Sequence, residues 1–199
     1  MKKIAVILLA FVLTSCYVSK TLERDVNVSL NESFFVTVSN TGNSTFSGKY
    51  SQEEYKQAFI EGMKAEFAGS HIILTESNTE FMVSITELII TESSKKDTVS
   101  DADSKDNGKV YELSALKLSA KGAVKKADGA NVSDWWADKN KEEKVTSMRS
   151  GGQMITGNNK DNNSYREKEF SDDKALDLAR QCGRRSGARI VNDIVRALK

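Results

Sequence analysis

The sequence predicts an α+β fold: a mostly antiparallel sheet with two helices packed on one face. Three observations predict it. Two segments, residues 51–68 and 171–198, carry apolar residues at helical spacing behind recognisable start signals. Several β-branched and aromatic runs lie before and between them. The resulting order is strand, helix, several meandering strands, helix, which suits helices segregated to one side of an antiparallel sheet. The chain has 199 residues, enough for one ordinary domain with its own core.

Residues 16–32 are polar and weakly periodic. They read as a tether, with a short strand at Val26-Asn27-Val28, ahead of a single domain over residues 33–199. Phe34-Phe35-Val36-Thr37-Val38 is a strand pattern, broken by Asn40-Thr41-Gly42-Asn43. Ser51 and Glu54 form a capping box, in which each satisfies a free amide at a helix start. Tyr55, Phe59, Met63 and Phe67 then repeat every four residues, up to Gly69, where a helix can end.

Ile72-Ile73-Leu74 predicts a short strand and residues 80–91 a longer one. In the longer strand Phe81, Val83, Ile85 and Ile89 lie on one face, and Met82, Leu88 and Ile90 on the other. Residues 93–108 are polar and read as a loop. Residues 111–124 are strand-like, Asp128-Gly129 is a turn signal, and residues 143–154 return as a strand after Trp135-Trp136. Residues 157–164 are asparagine-rich and form a second loop.

Ser171-Asp172-Asp173 opens the last helix, with acids at the positive end of its dipole. Its apolar and small face runs through Leu176, Ala179, Gly183, Gly187, Ile190, Ile194 and Leu198. Mid-helix glycine costs about 1 kcal/mol relative to alanine. Gly183 and Gly187 therefore either press the helix backbone against the sheet or are simply tolerated.

The N-terminus carries an address. Met1-Lys2-Lys3 is positive, residues 4–13 are an apolar run of ten, and Thr14-Ser15-Cys16 follow. This is the layout of a secretory signal over residues 1–15. Ten residues are too few for a bilayer core, which takes about 20 in helical form. Leu13-Thr14-Ser15-Cys16 resembles the lipobox of bacterial lipoproteins. The resemblance implies diacylation of the Cys16 thiol, cleavage before it and acylation of the new amine. The expected partner at that end is a membrane, held through several acyl chains. Residue 17 is Tyr rather than the Asp that retains enteric lipoproteins in the inner membrane, so the resemblance implies the outer membrane. No run of acids follows Cys16, which favours the periplasmic side. In element order and anchor, residues 33–199 are similar to small envelope lipoproteins of the curli-secretion-subunit and penicillin-binding-protein-activator type.

The precursor has 29 Lys+Arg and 28 Asp+Glu. Lys2 and Lys3 leave with the signal, so 27 basic residues face 28 acidic ones. That balance gives no global pull toward nucleic acid, and none is expected as a partner. With Cys16 acylated, Cys182 has no disulfide partner within the chain. It is then a buried inert thiol or a site for intermolecular pairing.

No catalytic constellation, cofactor or metal set is expected. His71 is the single histidine, and the chain has no G-x-S-x-G elbow. Asp97, Asp101, Asp103 and Asp106 raise calcium, but Lys105 falls where an EF-hand loop needs an oxygen. Trp135 and Trp136 are the candidates for contact with a protein partner or glycan. On a strand they would point to opposite faces, one in the core and one exposed. Arg180, Arg184, Arg185 and Arg189 line the last helix off its apolar face. They form either a surface for anions or a solvated face offset by Asp177 and Asp193. The expectation is a lipid-anchored, non-catalytic accessory protein with a protein partner in the envelope. A ligand- or glycan-binding lipoprotein is the alternative, and a lipid-anchored hydrolase a third class.

Overall fold

The computed structural model describes residues 22–41, 45–148 and 164–199. Cys16, the lipobox, residues 149–154 of the strand expected over 143–154 and residues 157–163 of the asparagine-rich loop lie outside them. The order is β1 (Val26–Asn31), β2 (Phe35–Thr41), a 3-10 turn (Ser47–Lys49), α1 (Gln52–Ala68), β3 (Ile72–Leu74), β4 (Phe81–Thr98), β5 (Val110–Lys126), β6 (Asn131–Glu142), β7 (Lys144–Met148), β8 (Ser164–Lys168) and α2 (Lys174–Ala197). The class is α+β as expected.

The main sheet is mixed, which corrects the expected pairing. Its order is β3-β1-β4-β5-β6, and β2 also pairs with β4. β4, β5 and β6 form an antiparallel meander, whereas β1 and β2 run parallel to β4 one after the other, and β3 runs parallel to β1. Parallel neighbours need a crossover, and α1, lying between β2 and β3, supplies it. β1 sits between β3 and β4, and Leu22 is buried in the core. The folded part therefore begins ahead of residue 33, inside the expected tether.

β4 contains a bulge between Ile85 and Glu87. One extra residue reverses the inward–outward parity. Phe81, Val83 and Ile85 thus share the buried face with Leu88, Ile90 and Glu92. This corrects the face assignment, which had set Leu88 and Ile90 opposite Phe81. Opposite the bulge lies Gly122, where a Cβ would fall 2.0 Å from the Ser84 carbonyl and 2.5 Å from the Trp135 ring. Gly122 pairs with Trp135 across the strands, so the indole occupies the space of the missing side chain.

The strand pair β4–β5 runs further than composition suggested. β4 continues to Thr98, and the expected loop at 93–108 contracts to the segment between Thr98 and Val110. Polar side chains here are held by cross-strand pairing: Ser94 Oγ donates to Glu112 at 2.6 Å, and Lys95 Nζ lies 3.3 Å from Glu142. At this outer end β7 and β8 form a separate antiparallel pair. Val145 and Tyr165 pack there on a small cluster of Val99, Tyr111 and Leu113.

The helices pack against each other as well as on the sheet. α1 starts at the expected capping box: Glu54 N donates to Ser51 Oγ at 3.3 Å, and Ser51 N donates to Glu54 Oε2 at 2.8 Å. A Cβ on Gly62 would meet the Arg180 carbonyl at 2.0 Å, and one on Gly183 would meet the Phe59 carbonyl at 2.0 Å. The glycines of α2 therefore press its backbone onto α1, not onto the sheet. Toward the sheet α2 offers Leu178, Cys182 and Ile190, all buried. Leu198, expected on the apolar face, is exposed because the helix ends at Ala197.

Candidate functional site

Trp135 and Trp136 divide as strand geometry requires. Trp135 is 1% exposed and belongs to the main core. It cannot serve as a contact residue, which corrects its candidacy. Its Nε1 is buried with no hydrogen-bond acceptor among the described residues. Trp136 is 61% exposed on the face of the sheet away from the helices.

That face carries an ordered row. Trp136 is the register partner of Lys121, Lys121 of Glu87, and Glu87 of Phe35. Phe35, Lys121 and Trp136 each sit between buried or core-packed neighbours, and Glu87 lies between the exposed bulge residue Thr86 and the buried Leu88, so all four project from the same side. Phe35 is 82% exposed. Between the two aromatic rings Lys121 Nζ lies 2.6 Å from Glu87 Oε1. With neighbouring strands about 4.8 Å apart, the aromatics stand roughly 14 Å from each other. Ser84, Ala123 and Ser119 flank the row with short side chains, and Ile89, the register partner of Ser119, with a larger apolar one. Phe35 was legible only as a strand residue. Its exposure depends on which side α1 covers, and Phe34 and Val36 pack on that covered side instead.

The four arginines of α2 do not form one free patch. Arg180 reaches Glu61 of α1 at 3.4 Å and Asp177 at 3.3 Å. Arg185 donates to the Asp138 carbonyl of β6 at 3.2 Å, on the opposite flank. Arg189 Nε lies 3.7 Å from Asp193, while Arg184 is exposed. Asp177 and Asp193 offset the charge as their spacing suggested. Asp193 is itself buried and accepts from Ser133 Oγ at 2.8 Å.

Sequence reasoning missed Glu92. It is fully buried, and its carboxylate accepts from Phe46 N, Ser47 N at 2.7 Å and Ser47 Oγ at 2.6 Å. Tyr55 Oη donates to the Ser47 carbonyl at 2.9 Å, and burial pushes its phenol well above the ordinary range. This cluster ties the 3-10 turn to the sheet, so the acid is used as an anchor. The bulge hid it, because only the parity change turns position 92 inward.

Other candidates resolve into structural contacts. His71 adopts a left-handed backbone (φ 60°), and its Nδ1 lies 3.0 Å from Asp25. Of the acidic loop, Asp101 accepts from Tyr165 Oη at 2.8 Å and Asp106 from Tyr165 N at 2.7 Å. No group of three or more His, Cys, Asp or Glu that could hold a metal occurs among the described residues. Cys182 is buried near the carbonyls of Leu118 and Ala137, and burial pushes its thiol up to about 12. An open polar groove of about 1000 Å³ runs between the start of β5 and the β7–β8 pair, lined by Lys109, Tyr111, Glu112, Thr146 and Arg166 among others. No helix among the described residues is long and apolar enough to cross a membrane.

No family model matches the chain, and no curated protein matches it by sequence. Among solved structures, it is similar to a minor lipoprotein from Acinetobacter baumannii at 10% identity, covering 86% of this chain and 94% of that one, with a TM-score of 0.37. A homolog of a neuraminyllactose-binding hemagglutinin from Helicobacter pylori matches at 8% identity over 88% and 89% of the two chains, with a TM-score of 0.42. A PelC dodecamer from Paraburkholderia phytofirmans matches at 10% identity over 88% and 92%, with a TM-score of 0.30. Likenesses at this level assign neither activity nor partner.

Proposed function

We propose that this chain is a lipid-anchored envelope lipoprotein with a non-catalytic binding role, acting as an accessory or assembly component. The anchor rests on Leu13-Thr14-Ser15-Cys16; Tyr17 in place of Asp favours the outer membrane, and the lack of an acidic run after Cys16 favours its periplasmic side. Leu22 already belongs to the core, six steps after Cys16. An extended chain of that length reaches about 20 Å, so a lipid on Cys16 would keep the domain close to the bilayer.

The observation that carries the binding role is the exposed row from Phe35 to Trp136. Large aromatics left on a flat sheet face are the residues that anchor interfaces. The use of the polar side chains favours binding over catalysis. Glu54, Glu80 and Asp172 titrate below their ordinary range, each through hydrogen bonds: to Ser51, Arg24 and Lys49 respectively. Glu92 is taken up by backbone amides and a serine hydroxyl. A carboxyl serving as general acid at neutral pH would instead be held above its ordinary range.

A glycan- or ligand-binding role is the second reading. It is favoured by the polar groove beside Tyr111 and by Trp136, whose ring is free to stack on a sugar.

Metabolic labelling with an alkyne fatty acid tests the anchor: label and membrane retention are expected in the wild type and absent in Cys16→Ala. Labelled Cys16→Ala, or a soluble and unlabelled wild type, would overturn it. In the same cells, crosslinking followed by capture is expected to lose its partner band in Trp136→Ala. An unchanged band removes the open face from the reading, and loss of binding to glycan alone favours the second reading.

A further inference from the structure

We infer that the occupant of the open sheet face is a second copy of this chain, docked face to face about a two-fold axis. The inference rests on the proposed binding role of that face and names its partner.

The argument is the order of charges along the row. Reading from β2 to β6, the residues are Phe35, Glu87, Lys121 and Trp136: aromatic, acid, base, aromatic. This order is antisymmetric about its centre. A two-fold axis parallel to the strands, passing between β4 and β5, lays the row over its own reverse. Phe35 then faces the second copy's tryptophan, Glu87 its lysine, Lys121 its glutamate and Trp136 its phenylalanine. Every contact occurs twice, as an isologous interface requires. Two sheets packed this way lie about 10 Å apart with strands within about 30° of each other.

The existing pair between Lys121 and Glu87 does not oppose this arrangement. Both side chains are partly exposed, at 54% and 31%, so each can accept a second opposite charge. The outer end of the same face shows that it takes a covering layer. There Tyr111 and Leu113 project with the parity of Lys117 and Lys121, and are covered by Val145 and Tyr165 of the β7–β8 pair. The central row has no such cover among the described residues. An interface four strands wide falls at the small end of the size range, so trapping in the membrane suits it better than dilution.

The test uses full-length, lipid-anchored protein with two differently tagged copies in one cell. Wild-type copies are expected to capture each other, and copies carrying Phe35→Cys and Trp136→Cys to crosslink across the pair. Glu87→Lys sets lysine against lysine, and Lys121→Glu sets glutamate against glutamate. Each alone is expected to lower co-capture roughly tenfold or more. Glu87→Lys expressed together with Lys121→Glu places opposite charges in both contacts again, and co-capture is expected to return. The mixture is its own folding control, since a variant that failed to fold would not recover. The inference is overturned if wild-type copies do not associate, if each single variant still captures itself, or if the mixture does not recover. If copies do not associate but Trp136→Ala still removes a different envelope protein, self-association fails and the binding reading stands.

Discussion

The two faces of one sheet are built on opposite rules, and Trp135 and Trp136 mark the divide. On the helix side the closest contacts are fitted one position to another. Trp135 fills the space above Gly122, and Gly62 and Gly183 admit the facing helix backbone where no side chain would fit. The open side keeps Phe35 and Trp136 in solvent around the ion pair of Lys121 with Glu87. Scattered apolar residues on a surface need no explanation. Two large aromatics at the ends of one cross-strand row are a different matter. The helix side holds the fold together, and the open side is the face proposed for binding.

Substitutions separate the faces in order of expected effect. Trp135→Ala should be the most damaging, since a fully buried tryptophan lost to alanine costs about 3–5 kcal/mol, read by thermal or urea unfolding. Glu92→Leu comes next. It strands the amides of Phe46 and Ser47 inside the protein, and each buried unpaired group costs about 1–3 kcal/mol. Gly183→Ala should follow. Alanine would ordinarily favour a helix by about 1 kcal/mol, but overpacking against the Phe59 carbonyl reverses that into a net loss of roughly 2 kcal/mol. A more stable Gly183→Ala variant would break the helix-contact account. Smallest is the acid limb. Glu80 and Asp172 have folded pKa values below their unfolded ones. Their contribution is whole above the ordinary carboxylate range and is lost as pH falls through the depressed values. Both side chains are exposed enough that Asp172→Asn should flatten the acid limb only slightly. Cys182 sharpens the same contrast: its thiol, pushed up to about 12, should resist alkylation at neutral pH until the protein unfolds.

The parts of this division that a pattern can express were legible in the sequence. The capping box at Ser51 and Glu54, the four-residue repeat of α1 and the opposed directions of Trp135 and Trp136 follow from local rules. What stayed hidden depends on pairing. One bulge beyond Ile85 reverses the second half of β4, so Leu88 and Ile90 were set on the wrong face and nothing marked Glu92 as an inward position. Parallel pairing of β1 with β4 is a property of the α1 crossover, not of residues 26–31, and so Val26-Asn27-Val28 read as a short strand within a tether and not as part of the sheet. The polar end of β4 is a strand because β5 pairs with it. The row from Phe35 to Trp136 joins four strands and exists only once their registers are known. Of the arginines, sequence gave the offset by Asp177 and Asp193, but not the splitting of Arg180 and Arg185 to opposite flanks of α2.

Hydroxyl-radical footprinting of Trp135 and Trp136, resolved by fragment mass spectrometry, tests the division of faces most directly. In dilute purified protein Trp136 should be oxidised and Trp135 spared. In native envelopes Trp136 should become protected while Trp135 is unchanged. Oxidation of Trp136 to the same extent in both settings would mean that the open face has no occupant where the protein works, and would contradict the account.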